Sequence, residues 1–171
     1  MLRSALVALM LSLPAAAAQP EGALSLGAQL DGSSFSGLAL ARAGLRFGQL
    51  TPSLRTLAVA APGTFAYALG TELRWTSPTD PVQAQLAVGA GIGQIVQPDP
   101  LRTQRTPLGL YTNASAGIAF RQSAQVRWAL EVAMNRWAGM GDLGQGGARY
   151  HMPLDRPYWL ASVVFTPGFS P

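Results

Sequence analysis

The stretch Thr64-Phe65-Ala66-Tyr67-Ala68-Leu69-Gly70-Thr71-Glu72-Leu73-Arg74-Trp75-Thr76 decides how this chain is read. Its alternate residues fall into two sets. Phe65, Tyr67, Leu69, Thr71, Leu73 and Trp75 are mostly large and apolar, whereas Thr64, Ala66, Ala68, Gly70, Glu72 and Arg74 are small or charged. A period of two is that of a β-strand, whose successive side chains point to opposite faces. Two features separate it from a strand of a soluble sheet. The alternation lasts from 64 to 76, whereas globular strands average about 5–6 residues and membrane-crossing strands need about 9–11. The less apolar face also carries Gly and Ala where a water-facing sheet carries Lys, Glu and Thr. A narrow closed barrel needs such small residues inside.

Working outward, eight segments alternate in this way: 22–30, 37–48, 54–60, 64–76, 82–95, 108–121, 125–137 and 156–167. In the fifth, Val82, Leu86, Val88 and Ile92 oppose Gln83, Gln85, Gly89 and Gly93; in the seventh, Val126, Trp128, Leu130 and Val132 oppose Arg127, Ala129, Glu131 and Ala133. Turn signals punctuate them at Asp31-Gly32-Ser33-Ser34, Thr51-Pro52-Ser53, Ala61-Pro62-Gly63, Ser77-Pro78-Thr79-Asp80-Pro81, Pro98-Asp99-Pro100 and Arg121-Gln122-Ser123. The last connection, about 138–155, is long and rich in Gly. Gly and Pro recur too often for long helices.

Charges and aromatics test the face assignment. Arg42, Arg46, Glu72, Arg74, Arg121, Arg127 and Glu131 all fall on the less apolar face of their segments. Charge on a lipid face costs about 2–4 kcal/mol for Arg at mid-bilayer, so this face is read as the interior. Arg55 and Arg136 depart from the rule and are placed near strand ends, where a long Arg reaches the interface. With the first strand running outward, Phe47, Trp75, Phe120, Trp128 and Phe165 fall near the periplasmic end of outward positions, and Phe65, Tyr67 and Trp159 near the outer end. Membrane barrels carry two such girdles, with short turns on one side and longer loops on the other. Here 96–107 and 138–155 are the expected external loops.

Composition agrees. The chain is 49% hydrophobic and only 12% charged, against about 25% charged in soluble domains. It has no Cys, which excludes disulfides, thiolate catalysis, Cys-ligated metals and a lipidated N-terminal Cys. The beginning reads as a secretory signal: Arg3, the apolar run Ser4 to Leu13, then Ala15-Ala16-Ala17-Ala18 before Gln19. That run is too short to span a bilayer as a helix. Residues 1–18 are therefore expected to be cleaved, leaving 19–171 as the barrel domain. The fold expected is all-β, an eight-stranded antiparallel up-and-down transmembrane β-barrel.

The signal, the eight segments and the strand Arg127-Trp128-Ala129-Leu130-Glu131-Val132 together resemble the small eight-stranded outer-membrane barrels of the OmpA transmembrane-domain and OmpX-like kind. The resemblance lies in the pattern over the whole segment 19–171, without a shared motif. It implies the outer membrane of a Gram-negative-type bacterium, with outer-membrane lipid, including lipopolysaccharide, and the barrel assembly machinery as partners. One departure is that Phe165 is followed by Thr166-Pro167-Gly168-Phe169-Ser170-Pro171, so the strand's aromatic is not terminal.

Chemistry-bearing residues are few. Arg42, Arg46, Glu72, Arg74, Arg121, Arg127 and Glu131 are expected to form a polar network plugging the lumen, because eight strands leave just enough interior for side chains. The alternative is a small anion-preferring pore. Arg102, Arg105 and Arg149 are candidates for meeting anions, such as lipopolysaccharide phosphates, from the loops. Gly89-Ala90-Gly91-Ile92-Gly93 lacks the spacing and βαβ context of a nucleotide loop. His151, the only histidine, lies in the last loop with Asp142 and Asp155. A lipid-modifying barrel enzyme would need it to meet a serine such as Ser162. Scattered Arg without a basic helix does not indicate nucleic acid, despite a sequence pI near 10.3. The expected role is structural or surface-interacting, with no enzyme activity, cofactor or metal. The remaining rival, a soluble secreted barrel binding an apolar ligand, requires the strongly apolar faces to point inward.

Overall fold

The computed structural model describes residues 18–31, 34–97, 103–106, 108–138 and 158–166. Eight long strands make up the structure: β1 (Gln19–Asp31), β2 (Ser34–Arg46), β3 (Leu50–Ala61), β4 (Thr64–Thr76), β5 (Val82–Gln97), β7 (Gly109–Arg121), β8 (Val126–Ala138) and β9 (Tyr158–Phe165). A two-residue strand, β6 (Gln104–Arg105), pairs with the end of β5. Each long strand is antiparallel to the next in the chain, and β9 returns to pair with β1, so the sheet closes as an up-and-down barrel. Closure satisfies every long strand on both sides, which a sheet in lipid requires. A 13-residue strand such as β4 covers about 43 Å at about 3.3 Å per residue. Tilted by about 45°, it spans about 30 Å, the thickness of a hydrocarbon core.

One end of the barrel holds the short turns 47–49, 77–81 and 122–125; the other receives the two longest connections, 98–108 and 139–157. The β2–β3 turn corrects the reading of Thr51-Pro52-Ser53 as a turn. The chain reverses at Gly48 (φ 60°), bracketed by the Phe47–Leu50 pair, and residues 51–53 already belong to β3. The β2–β3 ladder stops at Gly44–Ser53 and resumes at the Phe47–Leu50 bridge, so the missing Pro52 N–H falls in a gap of that ladder, while the β3–β4 ladder runs on past Pro52. The Ala61-Pro62-Gly63 turn falls where its residues indicated, with Gly63 at φ 69°. The expected signal segment lies outside the described residues, apart from Ala18, as does most of the loop 138–155.

The polarity of the barrel is inverted relative to a soluble protein. Leu26 is 72% exposed and Trp159 69%, while Glu131 is 1% and Arg55 2% exposed. An apolar belt that extensive, wrapped around a polar interior, is stable only against lipid. At the short-turn end Trp75, Phe120, Trp128 and Phe165 face outward, and at the other end Phe65, Tyr67 and Trp159 do so. The polar tips of Trp75, Trp128 and Tyr67 reach the side chains of Gln49, Gln122 and Gln94. An apolar ring with a satisfied polar tip is what the membrane interface selects.

The interior has two layers, which differs from the uniformly polar lumen that the alternation suggested. The half toward the long connections holds the apolar cluster, with Leu38, Leu40, Leu57, Val59, Ile95, Tyr111, Tyr158 and Leu160 packed together and Trp137 against them, and the buried Gln29, Ser36 and Thr106 at its rim. The charges occupy the remainder, toward the short turns. A closed ladder of this kind should resist detergent until heated. The folded protein is expected to migrate differently on a gel in unheated and boiled samples; identical migration would contradict a closed barrel.

Candidate functional site: a charge network in the lumen

The strand alternation that sends Leu69, Leu73 and Trp75 outward sends Glu72 and Arg74 inward, and the same logic on β2 and β8 buries Arg42 and Glu131. The two glutamates anchor the site. Glu72 Oε1 accepts from Arg42 Nη1 at 3.2 Å and Arg74 Nη2 at 2.9 Å, while its Oε2 accepts from Asn113 Nδ2 at 3.3 Å. Glu131 Oε1 accepts from Arg42 Nη2 at 3.1 Å, and its Oε2 accepts from Arg74 Nη2 at 2.9 Å and Ser115 Oγ at 3.1 Å. Arg42 and Arg74 each bridge both carboxylates. A carboxylate offers about four lone-pair sites, so both glutamates are close to saturated. That is the condition under which buried charge is tolerable. Nearer the short turns, Arg127 pairs with Glu21 and donates to Gln83 Oε1 at 3.2 Å.

Glycines make room for the acids. In the antiparallel register Glu72 lies opposite Gly89, and Glu131 opposite Gly117. A Cβ on Gly117 would stand 2.8 Å from both Cα and Cγ of Glu131. The Gly89-Ala90-Gly91-Ile92-Gly93 run is thus a packing surface for the lumen.

Arg42, Glu72, Arg74 and Glu131 come together as one cluster, and Arg127 is buried in a separate pair. Two expected members stand apart. Arg46 is only half-buried and turns back to donate its Nε to the Gly48 carbonyl at 2.9 Å, because it ends β2 and the hairpin oxygen is nearer than the lumen. Arg121 is exposed and pairs with Asp80 at 2.7 Å across the short turns, since it closes β7 where inward positions already open to the rim. Of the loop arginines, Arg105 is exposed, whereas Arg102 and Arg149 lie outside the described residues, as does His151. Ser162, the serine weighed as a partner for His151, is 1% exposed inside the barrel and shares a 2.7 Å hydrogen bond with Ser25.

Sequence reasoning missed Arg55 and Glu21. Arg55, expected at an interface, is buried in the lumen, 3.4 Å from Glu72, with Nη2 donating to the Tyr158 hydroxyl at 3.2 Å and its guanidinium 5.6 Å from the Tyr111 ring centre. The cause is the apolar layer: Leu57 and Val59 share the inward face of β3 with Arg55, so on this strand the more apolar face is not the lipid face. The signal that would have found it is the alternation Thr51-Ser53-Arg55, hidden by reading 51–53 as a turn. Glu21 lay one residue outside the first segment.

The architecture has a counterpart among solved structures. Its fold is similar to that of neisserial surface protein A. The crystal structure of that protein superposes with a TM-score of 0.65, covering 88% of this chain and 96% of the other, at 13% sequence identity. What the two share is the closed eight-stranded antiparallel barrel. At that identity the likeness is one of fold. No protein-family model and no curated protein sequence matches the chain significantly.

Proposed function

We propose that this chain is an integral protein of a bacterial outer membrane with a structural or surface-interaction role, and that its lumen is plugged. The observation that carries the reading is the two-layer filling of the barrel. The Arg–Glu cluster fills one half and Leu38, Leu40, Leu57, Val59, Tyr111, Tyr158 and Leu160 fill the other. An ion crossing it would have to shed water both in a saturated ion-pair cluster and in an apolar layer, and each step is costly. The buried serine and the committed glutamates favour a scaffold over a lipid-modifying enzyme. Outer-membrane lipid supplies the surroundings of the apolar belt, and the barrel assembly machinery its route into the membrane. The exposed Arg105, with Arg102 and Arg149 in the same connections, supports contact with lipopolysaccharide phosphates.

Two measurements test this together. The purified wild type is expected to pass no steady current in planar bilayers, and a current with anion preference would favour the small pore instead. An epitope inserted after Gly146, in the glycine-rich last connection, should be detectable on intact cells without blocking assembly. Detection only after permeabilisation would overturn the orientation.

A further inference from the structure

The buried cluster around Glu72 is not electrically balanced. Arg42, Arg55 and Arg74 all contact Glu72 or Glu131, and those two carboxylates are the only acids among the described residues that touch them. Three positive charges therefore face two negative ones. Arg127 cannot absorb the difference, because it adds a positive charge already matched by Glu21. A buried lysine or histidine could relieve such an excess by losing a proton; arginine cannot. An uncompensated charge in so dry an interior is costly.

The surplus localises at Arg55. Arg42 and Arg74 each hydrogen-bond both glutamates, whereas Arg55 has one hydrogen bond, to a neutral phenol. Its Nη1 stands 3.4 Å from Glu72 Oε2, within ion-pair range but outside hydrogen-bond geometry. Both Nη1 and Nε are buried without an acceptor. Nearby groups add donors. The Trp137 indole N–H, whose ring packs 5.2 Å from Tyr111, is buried without an acceptor. Asn135, 1% exposed, lies against the Tyr158 hydroxyl with no well-formed hydrogen bond from either amide atom. Tyr111 spends its own proton on Asn113 Oδ1 at 3.2 Å. Among the described residues this stretch of lumen has four buried donor nitrogens without an acceptor, Arg55 Nε and Nη1, Asn135 Nδ2 and Trp137 Nε1, against one unmet acceptor, Asn135 Oδ1, and it carries one excess positive charge.

We propose that Arg55 holds a small resident anion, a halide-sized ion enclosed by Tyr111, Tyr158 and Asn135, as the missing counter-charge of the plug. Tyr111 and Tyr158 are both essentially inaccessible, so a larger group would have to displace them. The ion is a structural element of the barrel, and the assignment stands whether or not the lumen conducts.

Bromide is the probe. The full protein, folded in detergent, is heated in bromide solutions topped up with gluconate to constant ionic strength, and the midpoint of the gel shift is read. A ligand bound only by the folded state raises its stability with concentration. Above the dissociation constant, the wild-type midpoint should rise by about 3–6 °C per tenfold increase in bromide. Arg55→Met leaves Arg42 and Arg74 balanced against Glu72 and Glu131 and should show no rise. Should that variant fail to fold, crystals of the wild type grown in bromide give a second measurement, with anomalous density expected within hydrogen-bond reach of the Arg55 guanidinium. A midpoint indifferent to bromide, or an equal rise in Arg55→Met, would overturn the proposal. So would bromide density confined to surface positions, an adventitious ion only, or a carboxylate of the chain other than Glu72 found against Arg55.

Discussion

Glu72→Gln should destabilise the barrel more than any other single polar substitution in the lumen. Glu72 touches Arg42, Arg55 and Arg74, and also accepts from Asn113. Glutamine keeps the shape but offers one acceptor oxygen and no charge, which leaves three arginines around a single remaining carboxylate, Glu131. Removing one partner of a buried ion pair typically costs about 3–5 kcal/mol, and here one substitution weakens three contacts. Glu131→Gln should cost less, because Glu131 engages only Arg42 and Arg74 and has hydroxyl donors from Ser115 and Ser162 that an amide oxygen can still accept. Urea unfolding in lipid vesicles measures both. Equal stability of Glu72→Gln and wild type would mean that water, not the network, already solvates these arginines. The same variants bear on conduction. Loosening the charged layer leaves the apolar layer of Leu57, Val59, Tyr111 and Leu160 in place, so currents should stay absent even where stability falls.

The two layers also explain which parts of this structure could be read from sequence. Alternation is a local signal, and it was clearest where one face is all lipid-facing and the other all small or charged. β4 is such a strand, and its bounds were legible to the residue, 64 to 76. β3 is not. Its inward face runs Thr51-Ser53-Arg55-Leu57-Val59, polar at one end and apolar at the other, because it crosses from one interior layer into the next. A rule that sends the more apolar face to lipid must fail there, and it misplaced Arg55. Pro52 compounded the error by imitating a turn, and only the gap in the β2–β3 ladder beside an unbroken β3–β4 ladder, a long-range fact, shows how a strand holds it. The pairing of Glu72 with Gly89 and of Glu131 with Gly117 was likewise invisible. Each glycine and its acid could be seen, but their register depends on how neighbouring strands slide past one another. Arg46 and Arg121 sat on the correct face and still missed the network, because near a strand end a long side chain takes the nearest partner, a turn carbonyl or Asp80.

Opposite faces of the barrel wall should respond oppositely to charge. Leu69 is 54% exposed on the outer surface of β4, between the girdle residues Phe65 and Trp75. Leu69→Arg places a guanidinium near the middle of the hydrocarbon, too far from either rim for an easy escape to water, at a cost of about 2–4 kcal/mol. Assembly should fail, or folding yield fall steeply. Gln85 is 2% exposed and faces the lumen, where its Oε1 already accepts from Arg74 Nη1 at 2.9 Å. Gln85→Glu keeps that geometry, turns a hydrogen bond from a charged donor into an ion pair, and brings a third carboxylate to a cluster in which three arginines face two. It should assemble at least as well as wild type and unfold at equal or higher urea. The reverse substitution in kind, Gln85→Arg, would set a fourth arginine beside Arg74 and should be damaging despite lying inside. The comparison therefore separates two rules. If burial alone governed tolerance, both substitutions at Gln85 would be harmful. If the lumen were open and wet, both would be harmless. Acceptance of Glu together with rejection of Arg is the outcome that a dry, positively charged cluster requires, and failure of Gln85→Glu alongside success of Leu69→Arg would show the faces of the barrel to be reversed.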